Sequence, residues 1–147
     1  MTVDLARMRL DYETSGIGVD DVDPDPIRQF QTWLTAAVDA ELAEPNAMVV
    51  STVDGAGQPW NRHLLLKGVT ADGFDFYTNL ESDKSAHLRA NPKVALAFGW
   101  LPLSRQVTVT GTAAVVADTE ADAYWALRPR GSQLGSWASN QSRPVTS

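Results

Sequence analysis

The sequence predicts a mainly β protein with flanking helices, its antiparallel sheet curled into a small barrel. Two observations predict this: five or six short apolar runs separated by turn signals, and few segments with helical periodicity. A third bounds it. At 147 residues the chain is one domain, long enough to bury a core without disulfides or a metal.

Residues 3–13 read as a short helix, and Glu13 to Pro26 as a loop with Gly, Asp and Pro. Residues 1–23 are thus expected to be a mobile leader, ahead of a domain over 24–147. From Asp25-Pro26 a helix is predicted to about Ala43, with proline in its first turn. Ile27, Phe30, Leu34, Val38 and Leu42 mark its apolar face. The period then changes to two. Ala47–Val53 reads as a strand, Asp54 to Gly57 as a turn, and Trp60–Val69 as the returning strand of a hairpin. Asp72-Gly73 turns into a strand over Phe74–Thr78. Ser82 is a plausible N-cap for a helix to about Ala90, which Asn91-Pro92 ends. Lys93–Trp100 and Arg105–Val116 read as two more strands, joined by a loop containing Pro102. Thr119 to Asp122 matches a capping box, opening a helix that ends near Arg128 because Pro129 follows.

Composition excludes several function classes. There is no Cys, and the histidines are His63 and His87, so no metal site is expected. No run approaches the eighteen or so apolar residues of a membrane span, and the start is unlike a signal peptide; the expectation is a cytoplasmic protein. A net charge of −6 disfavours general binding to nucleic acid or anionic membranes. Its distribution is uneven. Residues 1–60 carry three basic and eleven acidic side chains, residues 61–147 nine and seven. No Asp or Glu follows Asp122, while Arg128, Arg130 and Arg143 sit among Ser, Gln and Gly. Unpaired guanidinium groups beside small hydroxyl and amide donors are the inventory of a phosphate site. Tyr124, Trp125, Leu127, Leu134 and Trp137 mark the stretch as a packed segment, unlike a solvated tail.

Other candidate groups precede it. Arg62 and Lys67 flank an apolar strand centre, and each must reach solvent, a carboxylate or a ligand. Alternation puts them on opposite faces, so they serve one ligand only through a bulge or by meeting different parts of it. Lys84 adds a charge to a helix N-terminus that already favours anions, while Asp83 opposes them. Taken alone, that segment is an ordinary capped surface helix. Val107 and Val109 share one face of their strand; Gln106, Thr108 and Thr110 share the other, which suits a flat heterocycle or plain exposure. Tyr124 and Arg128, four apart, share a helix face.

In order and spacing, Arg62-His-Leu-Leu-Leu-Lys67, Phe76-Tyr-Thr-Asn79, Ser82-Asp-Lys84, Arg105-Gln106, Tyr124 to Ser132 and Gln141-Ser142 resemble the pyridoxamine 5′-phosphate oxidase family. Glu44 to Val49 and Asn91-Pro92 fit the same pattern, and the resemblance runs from about Leu5 to the end. It implies an antiparallel FMN-binding split barrel that forms a homodimer with FMN between subunits. The implied reaction oxidises pyridoxamine or pyridoxine 5′-phosphate to pyridoxal 5′-phosphate, with O2 as acceptor and H2O2 as product. The cofactor would carry the hard chemistry, so no obligate acid or base is assigned.

By resemblance, Arg62, Lys84, Gln141 and Ser142 would hold the phosphate or ribityl groups of FMN. His63, Leu64, Leu65, Leu66, Lys67, Tyr77 and Thr78 would line the flavin, and Gln106 would contact it. Lys67, Tyr124, Arg128 and Ser132 would grip the substrate phosphate, with Arg9 and Tyr12 matching a segment that closes over it. Many members carry a basic residue where this chain has Asp83. Members also continue beyond the equivalent of Ser147, so the sequence is expected to be a fragment of a longer enzyme. The rival expectations are a non-catalytic flavin- or B6-phosphate-binding protein and a related split-barrel flavin reductase, which the Arg128 to Ser132 segment argues against.

Overall fold

The computed structural model describes residues 16–144. Two compact units emerge. One comprises the described residues up to Pro45 with Gly99–Gln106, the other Asn46–Phe98 with the described residues from Val107 onward.

In the first unit, helix α1 spans Pro26–Asp39. Asp25 starts it: its carboxylate accepts hydrogen bonds from the backbone N–H of Ile27 and Arg28, and Pro26 needs no partner there. Phe30 and Ala37 are buried, and the Phe30 ring lies 5.7 Å from that of Trp100. The expected apolar face is corrected at two positions: Val38 is 54% exposed while Ala37 is buried, and Leu42 lies beyond the helix, which ends at Asp39 and not near Ala43. Trp100 donates its ring N–H to the Pro45 carbonyl at 2.8 Å, and the Arg105 guanidinium stacks over Trp33.

The second unit holds most of a four-stranded sheet, the last residues of β5 and the first of β6 being counted with the first unit. Strands β1 (Ala47–Val53), β2 (Pro59–Leu65), β5 (Lys93–Trp100) and β6 (Arg105–Thr112) lie in the order β2-β1-β5-β6. Strands β3 (Gly68–Thr70) and β4 (Gly73–Asp75) form a separate antiparallel pair. Strand β1 buries alternate residues, Met48, Val50 and Thr52, as a half-buried strand should. It pairs antiparallel with β2 and β5, placing Val50 opposite both Arg62 and Leu96. Leu66, Leu96 and Phe98 join the core. Asp54 folds the β1–β2 turn, accepting hydrogen bonds from the backbone of Ala56 and Gln58, and Gly57 takes a φ of +85°.

The single strand expected over Trp60–Val69 is two strands. After Leu65 the chain is taken over by other partners: Leu66 N–H donates to the Asn46 carbonyl, Asn46 donates back to the Leu66 carbonyl, and Lys67 N–H donates to the Asp75 carbonyl. The next strand is also shorter than expected, ending at Asp75, and β6 stops at Thr112 rather than Val116.

Helix α2 covers Asp83–Ala90 and rests against β1. Ser82 is its N-cap residue, but its hydroxyl donates to the Asn79 carbonyl at 2.6 Å and caps no helical N–H. Helix α3 covers Asp118–Leu127, so Thr119 lies inside its first turn and the expected capping box does not form. Pro129 ends α3, and a helix the sequence reading lacked, α4 (Arg130–Ala138), follows at once. The Gln133 amide joins the two, donating to the carbonyls of Trp125, which also accepts from the Arg128 N–H, and of Arg128.

Candidate functional site

Two cations from different elements meet one cleft of about 380 Å³. Arg62, half-buried on β2, donates from one guanidinium nitrogen to the Thr52 hydroxyl at 2.7 Å and to the carbonyls of Val50 and Trp60 at 3.1 Å. Thr52 is fully buried and also bonds His87 Nδ1 at 3.1 Å, which ties Arg62 through β1 to helix α2. Lys84, in the first turn of α2, is only 7% exposed. Its ammonium donates to Ser82 Oγ at 3.1 Å and to Gln141 Oε1 at 2.7 Å. Gln141 also accepts from Thr78 at 3.4 Å, and Ser142 Oγ accepts from the Asp83 N–H at 3.3 Å. The acid-free C-terminal segment thus closes onto the start of α2.

Both cations are desolvated. Burial lowers the Arg62 pKa from its ordinary value. Burial lowers that of Lys84 too, the Arg62 charge adds to it, and Asp83 partly offsets it. Among the described residues neither cation has a carboxylate within ion-pairing distance. Desolvated like charges without a counter-ion cost stability, and a bound anion offsets that cost. The residues present fit an FMN phosphate: two cations, the Ser142 hydroxyl and the Gln141 amide converge on a cleft within the usual ligand-site range of about 300–1,000 Å³.

A second cluster joins β4's outgoing segment to α3. The rings of Tyr77 and Tyr124 stack at 3.8 Å with an interplanar angle of 7°. Tyr77 donates its hydroxyl to Glu120 at 3.2 Å; burial and this carboxylate raise its pKa. Burial and the Glu120 charge likewise raise the Asp75 pKa. Arg128 stacks over Trp125 and donates to Ser136 Oγ at 2.9 Å and to the Ser132 carbonyl at 3.2 Å.

The comparison with known proteins decides the family. Residues 34–147 match the family model described as pyridoxamine 5′-phosphate oxidase. The chain belongs to the pyridoxamine 5′-phosphate oxidase family. It is 55% identical over 141 residues to a pyridoxine/pyridoxamine 5′-phosphate oxidase of Cupriavidus metallidurans, covering 96% of this chain and 66% of that protein. The protein of the same name from Rubrobacter xylanophilus is 54% identical over 144 residues, 98% of this chain and 66% of its own length. The chain therefore spans 66% of the length of these relatives. Among solved structures, PhzG from Burkholderia lata superposes with a TM-score of 0.83 at 26% identity, over 87% of this chain and 63% of that one. An FMN-binding protein related to pyridoxamine 5′-phosphate oxidase, from Nostoc punctiforme, gives 0.68 at 17%, over 85% of this chain and 69% of that one. These likenesses bear out the split-barrel fold class, an antiparallel sheet with flanking helices.

Set against the residues that the family resemblance singles out, the geometry is selective. Arg62, His63, Leu64, Lys84, Gln141 and Ser142 line the one cleft, and Thr78 reaches it through Gln141. Tyr77 and Tyr124 meet each other, and Arg128 meets Ser132. Leu65, Leu66 and Lys67 do not line the cleft; the Leu66 side chain is buried in the core and Lys67 is exposed. Gln106 is exposed on β6, in the first unit. Arg9 and Tyr12 fall outside the described residues. The sequence reading missed Thr52, Ser82 and His87. Thr52 had a signal: it is the one hydroxyl in the phase that Met48 and Val50 fix as buried.

Proposed function

We propose that this chain binds FMN and serves the oxidation of pyridoxamine or pyridoxine 5′-phosphate to pyridoxal 5′-phosphate, with O2 as acceptor and H2O2 as product. The observation that carries the reading is the pair Arg62 and Lys84, both desolvated and, among the described residues, without a carboxylate partner, on one cleft with Gln141 and Ser142. The names of relatives above half identity support the substrate. Bound FMN would supply two-electron acceptance from the substrate carbon bearing the amine or hydroxyl, and donation to O2.

The residues of the chain then bind and orient. Arg62 and Lys84 hold the FMN phosphate, with Ser142 and Gln141 donating to it or to the ribityl chain. His63, Leu64, Leu65, Leu66, Lys67, Tyr77, Thr78 and Gln106 belong to the flavin surface in this reading. Lys67, Tyr124, Arg128 and Ser132, with Arg9 and Tyr12, take the substrate. The Tyr77–Tyr124 stack would link the two groups, since one ring serves the flavin side and the other the substrate side. A homodimer in the cytoplasm completes the reading. Helix α4 supports the dimer, because Leu134 and Trp137 are 51% and 83% exposed in the single chain.

Titration of the chain with FMN, followed by flavin fluorescence, tests the cofactor. Incubation with pyridoxamine 5′-phosphate and O2, with pyridoxal 5′-phosphate and peroxide measured together, tests the reaction. Binding and equimolar products are expected. FMN binding without products would make the chain a flavin-binding protein, and no FMN binding would sink the reading altogether.

A further inference from the structure

Asp83 is the only carboxylate among the described residues that line the cleft, and it sits in the α2 turn that carries Lys84. Left alone it would oppose an incoming phosphate. It is not alone. Arg143 Nη1 lies 2.9 Å from Asp83 Oδ1. The guanidinium is held there by backbone from both segments, donating to the Ser142 carbonyl at 3.0 Å and to the Glu81 carbonyl, just ahead of α2, at 3.5 Å. Ser142 has a φ of +66°, a conformation uncommon for a non-glycine residue, and its hydroxyl accepts from the Asp83 N–H. Arg143 lines a neighbouring depression, with Asn79, Glu81, Arg89, Asn140 and Gln141, so it reaches Asp83 without lining the cleft of Arg62 and Lys84.

We infer that Arg143 is a positioning residue for phosphate selectivity: it is the internal counter-ion that masks Asp83 from the anion held by Arg62 and Lys84. The inference rests on the FMN-phosphate reading and extends it to residues 83 and 143. A cation in the C-terminal segment neutralises the carboxylate in the helix turn, so the cleft keeps its net positive character. Both side chains are more than half exposed, so the pair is a weak stabiliser of the fold, and its effect falls mainly on ligand binding.

FMN and riboflavin, which lacks the phosphate, separate these effects. Each is titrated by flavin fluorescence into the wild type, Arg143→Ala, Arg143→Lys and the double variant Arg143→Ala with Asp83→Asn. The expected result is that Arg143→Ala weakens FMN about tenfold and leaves riboflavin unchanged. Arg143→Lys keeps FMN affinity, and adding Asp83→Asn to Arg143→Ala restores it to within about threefold of wild type. Unchanged FMN affinity in Arg143→Ala, equal loss of both flavins, or failure of Asp83→Asn to rescue would each overturn the inference. A wild type with no preference for FMN over riboflavin instead overturns the phosphate reading beneath it.

Discussion

Lys84 sets the residue-scale problem, because it is a largely buried lysine near another cation. Burial is the larger cause of its lowered pKa, and the Arg62 charge the second. A lysine whose folded pKa lies below its unfolded value destabilises the fold while charged. That cost is present in full below the folded pKa and is relieved as pH rises through it. At neutral pH the ligand-free chain therefore carries the cost, and an anion relieves it. Lys84→Met, similar in length and uncharged, is expected to raise the melting temperature of the ligand-free chain by about 2–4 °C at pH 7. On the proposed FMN reading, the same substitution is expected to remove any rise in melting temperature that added FMN gives the wild type. A Met variant less stable than wild type without ligand would show that the bonds to Ser82 and Gln141 outweigh desolvation. Thr52 makes the complementary case, a buried hydroxyl that orients a guanidinium and holds no ligand itself.

At the scale of elements, local chemistry decided some boundaries and distant partners decided others. Helix α1 was legible because Asp25, Pro26 and a 3.6-residue apolar period agree, and the cap forms as the residues dictate. Asp25→Ala is expected to cost about 1 kcal/mol in urea unfolding, and Asp25→Ser to recover most of it. Arg28 contacts Asp25 at 3.3 Å and pairs with Asp23 through two bonds of 3.0 Å; such surface pairs add little, so Arg28→Ala is expected to have a smaller effect than Asp25→Ala. The break after Leu65 was not legible. It is fixed by Asn46, about twenty positions away, which meets the Leu66 backbone at both its N–H and its carbonyl. Helix α4 was hidden for another reason: Gly131 and Gly135 are poor helix formers, and its apolar residues find no core of their own. Much of the candidate site was visible as cations without acids in Arg62, Lys84 and the segment after Asp122. The masking of Asp83 was not, since no local pattern announces a pair sixty residues apart.

For the whole molecule, the open question is what covers α4. A nine-residue helix is marginal in water by itself, and in proteins such helices owe their stability to packing. Yet α4 has no buried residue, Trp137 is 83% exposed, and Leu127 at the end of α3 is 84% exposed. Among the described residues, α4 and the end of α3 thus present apolar surface to water, beside the segment bearing Gln141 and Ser142. On the proposed homodimer, a second copy of the chain would bury that surface and hold the segment bearing Gln141 and Ser142 at the same time. Sedimentation of the wild type is therefore expected at about twice 15.9 kDa, and of Trp137→Glu at the single-chain mass. FMN affinity should fall in the same variant, because α4 leads directly into residues 139–143. A wild type that sediments at 15.9 kDa while binding FMN tightly would remove the second subunit from the site, leaving Arg62, Lys84 and the Asp83–Arg143 pair as a one-chain device.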